Sequence, residues 1–231
     1  MRSRRSSSSD LSSGKTVRPP ESWQRARVTI GIVIVTAVVW ALVAASGYDN
    51  LAAVWGGFIP ARADGSVNTA GAGLMPMVLT PLSATLLHAG IIHLGFNLLI
   101  LAFCGRSVEN ILGPVGLVIL YVVGAYAAAV GYYAQSPGGV EPMIGASGAI
   151  SAVIGAYAML FGRNRVKVAD PRLALWLNAL WLAAAWVGLQ LLVGFTFQSE
   201  GARIAFGAHI GGFIVGLVLA KPLLLLRYRK A

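Results

Sequence analysis

The chain has a single cysteine, Cys104, in 231 residues. That excludes a disulfide framework within the chain, Cys-rich zinc sites and CxxC redox motifs. Charge is nearly as scarce. Only 11% of residues are Asp, Glu, Lys or Arg, and eight acids face eighteen bases. With 57% hydrophobic residues and a mean hydropathy of +0.73, the composition excludes an ordinary water-soluble domain.

What fills the chain instead is a series of apolar runs, at about 28–46, 88–105, 114–134, 143–162, 173–195 and 207–226. Each approaches the ~20 residues that a helix needs to cross hydrocarbon. The pattern predicts an all-α polytopic membrane protein, a bundle of six transmembrane helices. Residues 1–27 are Ser- and Arg-rich and read as a flexible basic cytoplasmic tail, 28–226 as the membrane domain, and 227–231 as a short basic cytoplasmic end. The first connection, about 47–86, is long and semi-apolar (VWGGFIP, GLMPMVL), which suits a loop lying in the membrane interface.

The net charge of +10 tests the count of spans. With six spans, sixteen of the eighteen basic residues fall on one side, and only Arg62 and Arg203 fall on the other. By the positive-inside rule both termini of this multi-pass protein are then cytoplasmic. The compact chain without a clear transit peptide favours the plasma (inner) membrane, and the Arg/Ser-rich, acid-poor tail leaves an organelle as the alternative. The basic excess is thereby topology information. It implies attraction to the anionic surface of the lipid bilayer and no nucleic-acid partner.

No acid lies in the middle of a run: Asp10, Glu21, Asp49, Asp64, Glu109, Glu141, Asp170 and Glu200 all map to tails, loops or run ends. A proton pump or ion-coupled carrier usually places acids at the midplane, so both are disfavoured. The three histidines, His88, His93 and His209, do lie in or beside runs, where each is costly and so a functional candidate. In the six-span topology the second, fourth and sixth spans enter from the outer face. Their entering ends carry His88, His93 and Asn97, then Gly145-Ala146-Ser147-Gly148, then Gly207-Ala208-His209.

Such a set can support acyl transfer. A serine hydroxyl needs a base to take its proton, and neutral imidazole is the usual one, so Ser147 and His209 form a candidate dyad. His93 and Asn97, four apart, share a helix face and are candidate donors to an oxyanion. Small residues in the fourth and sixth runs, among them Gly212 and Gly216, would let the two backbones approach. Taken singly, the residues have blander readings. Ser147 in a Gly/Ala-rich helix reads as packing, and Asn97 as interhelical glue. His88, five residues from His93, points to another helix face and reads as a cap or lining of the outer end. A three-histidine metal site is a further alternative. Asn178, Gln190 and the pair Arg106 and Glu109 read as structural polar contacts.

The ordered set of His88-xxxx-His93-xxx-Asn97, Glu109-Asn110-Ile111-Leu112-Gly113, Gly145-Ala146-Ser147-Gly148 and Ala208-His209-Ile210-Gly211-Gly212-xxx-Gly216 resembles the rhomboid family of intramembrane serine proteases over roughly residues 85–220. The resemblance implies a six-helix core and a nucleophile and base at Ser147 and His209. It also implies that His93 and Asn97 help hold the oxyanion, and that Gly145 gives the backbone room near the scissile carbonyl. Glu109 would tie the second span to the long first loop. Substrates would be single-span membrane proteins, cut near the outer face without metal or cofactor. Two positions depart from the family pattern. Where many members carry a Trp-Arg pair in the first loop this chain reads Met75-Pro76-Met77-Val78-Leu79-Thr80, and where some members place a tyrosine one turn after the nucleophile, stacking on the histidine, it has Ser151. The rival readings are a non-catalytic rhomboid-like protein that binds membrane helices in quality control, and a small-solute channel or carrier.

Overall fold

The computed structural model describes residues 22–67, 74–161, 170–196 and 205–229. Residues 1–21 of the basic tail, the loop bases Arg163, Arg165 and Lys167, and also Arg203 and Lys230, lie outside the described residues; so does the side chain of Gln190. The described chain is helical: α1 (Arg27–Ser46), α2 (Asp49–Gly56), α3 (Pro60–Ala63), α4 (Thr80–Ser83), α5 (Ile91–Ile100), α6 (Arg106–Gln135), α7 (Ser147–Phe161), α8 (Pro171–Thr196) and α9 (Phe206–Tyr228). Among the described residues the one β-type contact is an isolated antiparallel bridge between Phe58 and Met143.

The peripheral helices α1 and α8 turn most of their large apolar side chains outward. In α1 the buried residues are Thr29 and Thr36, while Ile34, Val35, Val38 and Leu42 are exposed. In α8, Ala174 and Trp186 are the buried side chains among those described, and Leu173, Trp176, Leu180 and Trp181 face outward. Water would oppose this pattern over so many large apolar groups, whereas lipid tails are as apolar as the side chains they meet. Arg27–Ser46, Ile91–Gln135 and Phe206–Tyr228 are long and apolar enough to cross a membrane; Ser147–Phe161 and the apolar part of α8, Trp176–Gly188, are shorter.

The second and third apolar runs are helical from Ile91, through a π-helical turn at Leu101–Gly105, to Gln135, in two helical segments. Gly113 makes the break between them with φ 80° and ψ 170°, a conformation that L side chains avoid, and Pro114 follows it. The break leaves carbonyls of the preceding turn without helical partners. The end of α9 supplies them. Arg227 Nη1 donates to the carbonyls of Glu109 and Asn110 at 3.3 and 3.2 Å, and the Tyr228 hydroxyl donates to that of Ile111 at 3.4 Å.

Glu109 is structural, as expected, but its partner is not the first loop. Its carboxylate, 1% exposed, accepts from the Val28 amide at 2.9 Å, the Thr29 amide at 2.8 Å and the Thr29 hydroxyl at 2.7 Å. The reason is local: the first amides of α1 have no preceding turn to bond, and a carboxylate is the strongest acceptor for them and for the positive end of the helix dipole. The residues just before α1 are folded too. Trp23–Arg25 form a 3-10 turn, the Arg106 guanidinium lies 4.9 Å from the centre of a Trp23 ring, and Asn110 Nδ2 donates to the Ser22 carbonyl.

Helices α6, α7 and α9 make the core. Gly124 of α6 packs on Ala149 and Ala152 of α7, and Gly148 packs back on Ala128, so these two run antiparallel. Gly148 and Ala152 of α7 face Gly212 and Gly216 of α9, which makes those two parallel. At Gly212 and Gly216 an added Cβ would lie 2.0 Å from the carbonyl oxygens of Gly148 and Ala152, and at Gly131 it would lie 2.0 Å from that of Gly207. Backbone therefore touches backbone along two sides of α9.

Removing the Glu109 clamp tests how α1 is attached. Glu109→Ala is expected to lower stability by roughly 2–4 kcal/mol and Thr29→Val by about 1.5 kcal/mol, since hydrogen bonds to a charged group are the stronger kind. Thermal unfolding in detergent reads both. An unchanged Glu109→Ala midpoint would show that α1 is held by other contacts.

Candidate active site

The sequence placed Ser147 inside a helix starting near 143 and His88 inside one starting at 88. The structure starts both helices later. α7 begins at Ser147 itself because Gly145, with φ +113°, cannot belong to a right-handed helix. α5 begins at Ile91 because Gly90 is fully extended. Ser147 is thus the first residue of its helix, and its amide and those that follow have no helical turn before them to bond.

The segment leading to Ser147 is strapped down from several sides. Met143 exchanges two backbone hydrogen bonds with Phe58, at 3.0 and 2.8 Å, and the Gly145 amide donates to the Ala84 carbonyl at 2.9 Å. The Ala146 amide approaches Nε2 of the buried His88 at 3.4 Å. The first loop therefore carries the turn that aims Ser147. Nearby, Asp64 Oδ2 accepts from the Gly138 amide at 3.1 Å; the Ser66 hydroxyl and then its amide also donate to Asp64 and hold its carboxyl below the usual carboxylate range.

Ser147 Oγ lies 2.8 Å from His209 Nε2, and both residues are buried. His209 stands on the first turn of α9, and the parallel course of α7 and α9 brings the two starting turns together. On the other side of Ser147, the missing side chain of Gly145 leaves room for His93. A Cβ at Gly145 would meet His93 Cε1 at 2.7 Å and Nε2 at 2.8 Å, with Asn97 Nδ2 at 3.9 Å. Asn97 Nδ2 also donates to the His93 carbonyl at 3.1 Å, which fixes one to the other. All five residues singled out from sequence, Ser147, His209, His93, Asn97 and Gly145, thus converge at one place.

Two residues join them: His88, which the sequence reading set aside as a cap or lining of the outer end, and Trp186, which it did not name. His88 was set on a different helix face from His93, a geometry that holds only if both are helical. His88 precedes the helix, and its ring centre lies 5.0 Å from that of His93, edge to face. Trp186 of α8 gave no signal at all, being one of three tryptophans in its run. Its Nε1 donates to Ser151 Oγ at 2.9 Å, and a ring of it stands 6.3 Å from the His209 ring at 61°. The Ser151 hydroxyl in turn donates to the Ser147 carbonyl at 2.7 Å. No group of three or more His, Cys, Asp or Glu that could hold a metal ion occurs among the described residues.

A cavity of about 20 Å³ adjoins Ser147, lined by Gly145, Gly148, Thr85 and Ala208 among others. That is about the space of one water and far below that of a peptide segment.

The Rhomboid domain model matches residues 76–226. The chain belongs to the rhomboid family. It is 31% identical over 195 residues to the rhomboid protease GlpG of Pectobacterium atrosepticum, covering 84% of this chain and 61% of that protein. It is 34% identical over 135 residues to GlpG of Salmonella choleraesuis, covering 58% and 44%. Against the rhomboid protease GluP of Bacillus subtilis it is 29% identical over 146 residues, covering 63% and 25%. The chain therefore spans under two thirds of the length of each of these rhomboid relatives.

The glycine seam makes a direct test of what brings Ser147 and His209 together. In Gly212→Ala the new methyl must move away from the Gly148 carbonyl by about 1 Å, a displacement that can cost on the order of 10²-fold in reactivity. Labelling of Ser147 by a fluorophosphonate should slow accordingly, while Ile214→Ala, on the exposed face of α9, should label like wild type. Equal labelling of all three proteins would show that the close approach is not what sets the site.

Proposed function

We propose that this rhomboid is an intramembrane serine endopeptidase that cuts single-span membrane proteins within or beside their transmembrane helix. One observation carries the reading: a serine hydroxyl 2.8 Å from an imidazole nitrogen, both buried, at the start of two parallel helices. Ser147 attacks the scissile carbonyl as His209 takes its proton. His209 then protonates the leaving amine, and water, activated by the same imidazole, hydrolyses the acyl-enzyme.

The negative charge of the tetrahedral intermediate forms beside Gly145, where the substrate oxygen meets donors already aimed. His93 and Asn97 are the side-chain donors, and the first amides of α7, favoured by the helix dipole for negative charge, are the backbone ones. A bound helix must unwind locally, because its own hydrogen bonds hide the scissile carbonyl. The distribution of basic residues supports six spans with both termini cytoplasmic and the site near the outer face of a plasma membrane, where water is available for the second step. The non-catalytic alternative requires that Ser147 be dispensable.

Purified protein in liposomes with a model single-span substrate distinguishes the two. Ser147→Ala and His209→Ala should each lose at least ~10³-fold in kcat, as for members of a unit that acts together. Asn97→Ala should lower kcat by about 10²-fold with little change in KM, the pattern of a donor used mainly in the transition state. Cleavage at the wild-type rate by both dyad variants would remove the protease reading.

A further inference from the structure

A general base works only when its lone pair faces the proton it takes. His209 has two rotatable side-chain bonds, and a ring turned away from Ser147 by a single rotamer step would leave the hydroxyl unactivated. The neighbour one helical turn after the nucleophile is Ser151, which is fully buried and too small to confine that ring. Trp186 stands where a confining wall is needed. It is 7% exposed, its ring is 6.3 Å from the His209 ring at 61°, and that edge-to-face spacing is one that aromatic rings favour.

The indole is itself fixed. Its N–H donates to Ser151 Oγ at 2.9 Å, and Ser151 is tied by its own proton to the Ser147 carbonyl at 2.7 Å. A chain of contacts therefore runs from the nucleophile's backbone through Ser151 and Trp186 to the ring of the base, and it joins α7, α8 and α9. Resting on the protease reading above, we propose that Trp186, anchored by Ser151, is a positioning residue that keeps His209 turned toward Ser147. The small residue at 151 is then part of the device. It leaves space for the indole and supplies its acceptor.

Because Trp186 lies on α8 while the dyad lies on α7 and α9, the order of the base depends on how α8 is docked. On α8 the other buried side chain among those described is Ala174, about three turns away along the helix. Displacing the Trp186 end of α8 would take the wall from His209.

The test uses the full chain in liposomes, with cleavage of the model substrate and the rate of fluorophosphonate labelling of Ser147 measured side by side. The small probe needs an activated Ser147 but no bound helix. Trp186→Ala should lower kcat and the labelling rate together, by roughly 10–100-fold, as a misoriented base would. Trp186→Phe keeps a ring and loses the N–H, so it should retain more of both rates. Ser151→Ala removes that hydrogen bond together with the one to the Ser147 carbonyl, so it should fall at least as far as Trp186→Phe, and the double variant should fall no further than Ser151→Ala alone. If Trp186→Ala fails to fold, the Phe and Ser151 variants decide.

Variants that raise KM but label at the wild-type rate would overturn the proposal, because Trp186 would then serve helix binding alone. So would additive losses in the double variant. Wild-type cleavage by Ser147→Ala would instead sink the protease reading itself, which separates the two failures.

Discussion

Everything at the site depends on how closely the backbone of α9 lies against α7 and α6. A hydrogen bond between a serine hydroxyl and an imidazole needs their helices nearer than ordinary side-chain packing allows. Glycine at 212 and 216 toward α7, and the facing pair Gly131 and Gly207 toward α6, remove the side chains that would keep them apart. In a bilayer, where apolar burial between helices contributes little, such backbone contact is also what holds the helices together. The same residues thus provide cohesion and bring Ser147 to His209.

The bilayer explains the rest of the polar inventory as well. A polar group inside is costly without a partner, and at both ends of the bundle decisive partners come from far along the chain. Glu109 takes the free amides at the start of α1, and Arg227 takes the free carbonyls left by the break at Gly113. The first loop does the corresponding work at the site end, where Phe58, Ala84 and His88 hold the turn before Ser147. These ties fix the two ends of the bundle, and the small residues fix its middle.

How much of this was legible beforehand depended on the kind of signal. Ser147, His209, His93 and Asn97 stood out because a polar residue in an apolar run is costly and therefore noticeable. Glu109 stood out too, but its partner did not: a carboxylate shows that something must be bound, while the amides it binds are identical at every position of the chain. His88 was misread through a helix boundary drawn three residues early, which is within the ordinary uncertainty of helix ends. Trp186 was invisible because tryptophan is common in membrane helices, and only its neighbours distinguish it from Trp176 and Trp181.

By itself, then, the sequence determined the solvent, the all-helical class, the family and the residues able to do chemistry. Composition and spacing suffice for these because they are properties of single residues and of runs. Tertiary structure decided which of those residues meet. It made Ser147 the first residue of α7, turned α9 parallel to it, put His88 beside His93, and stood an indole from a third helix against His209. The physical reason is that hydrogen bonds and ring contacts act over a few ångströms, so they depend on backbone approach and rotamer, and neither is written in the identity of any one side chain.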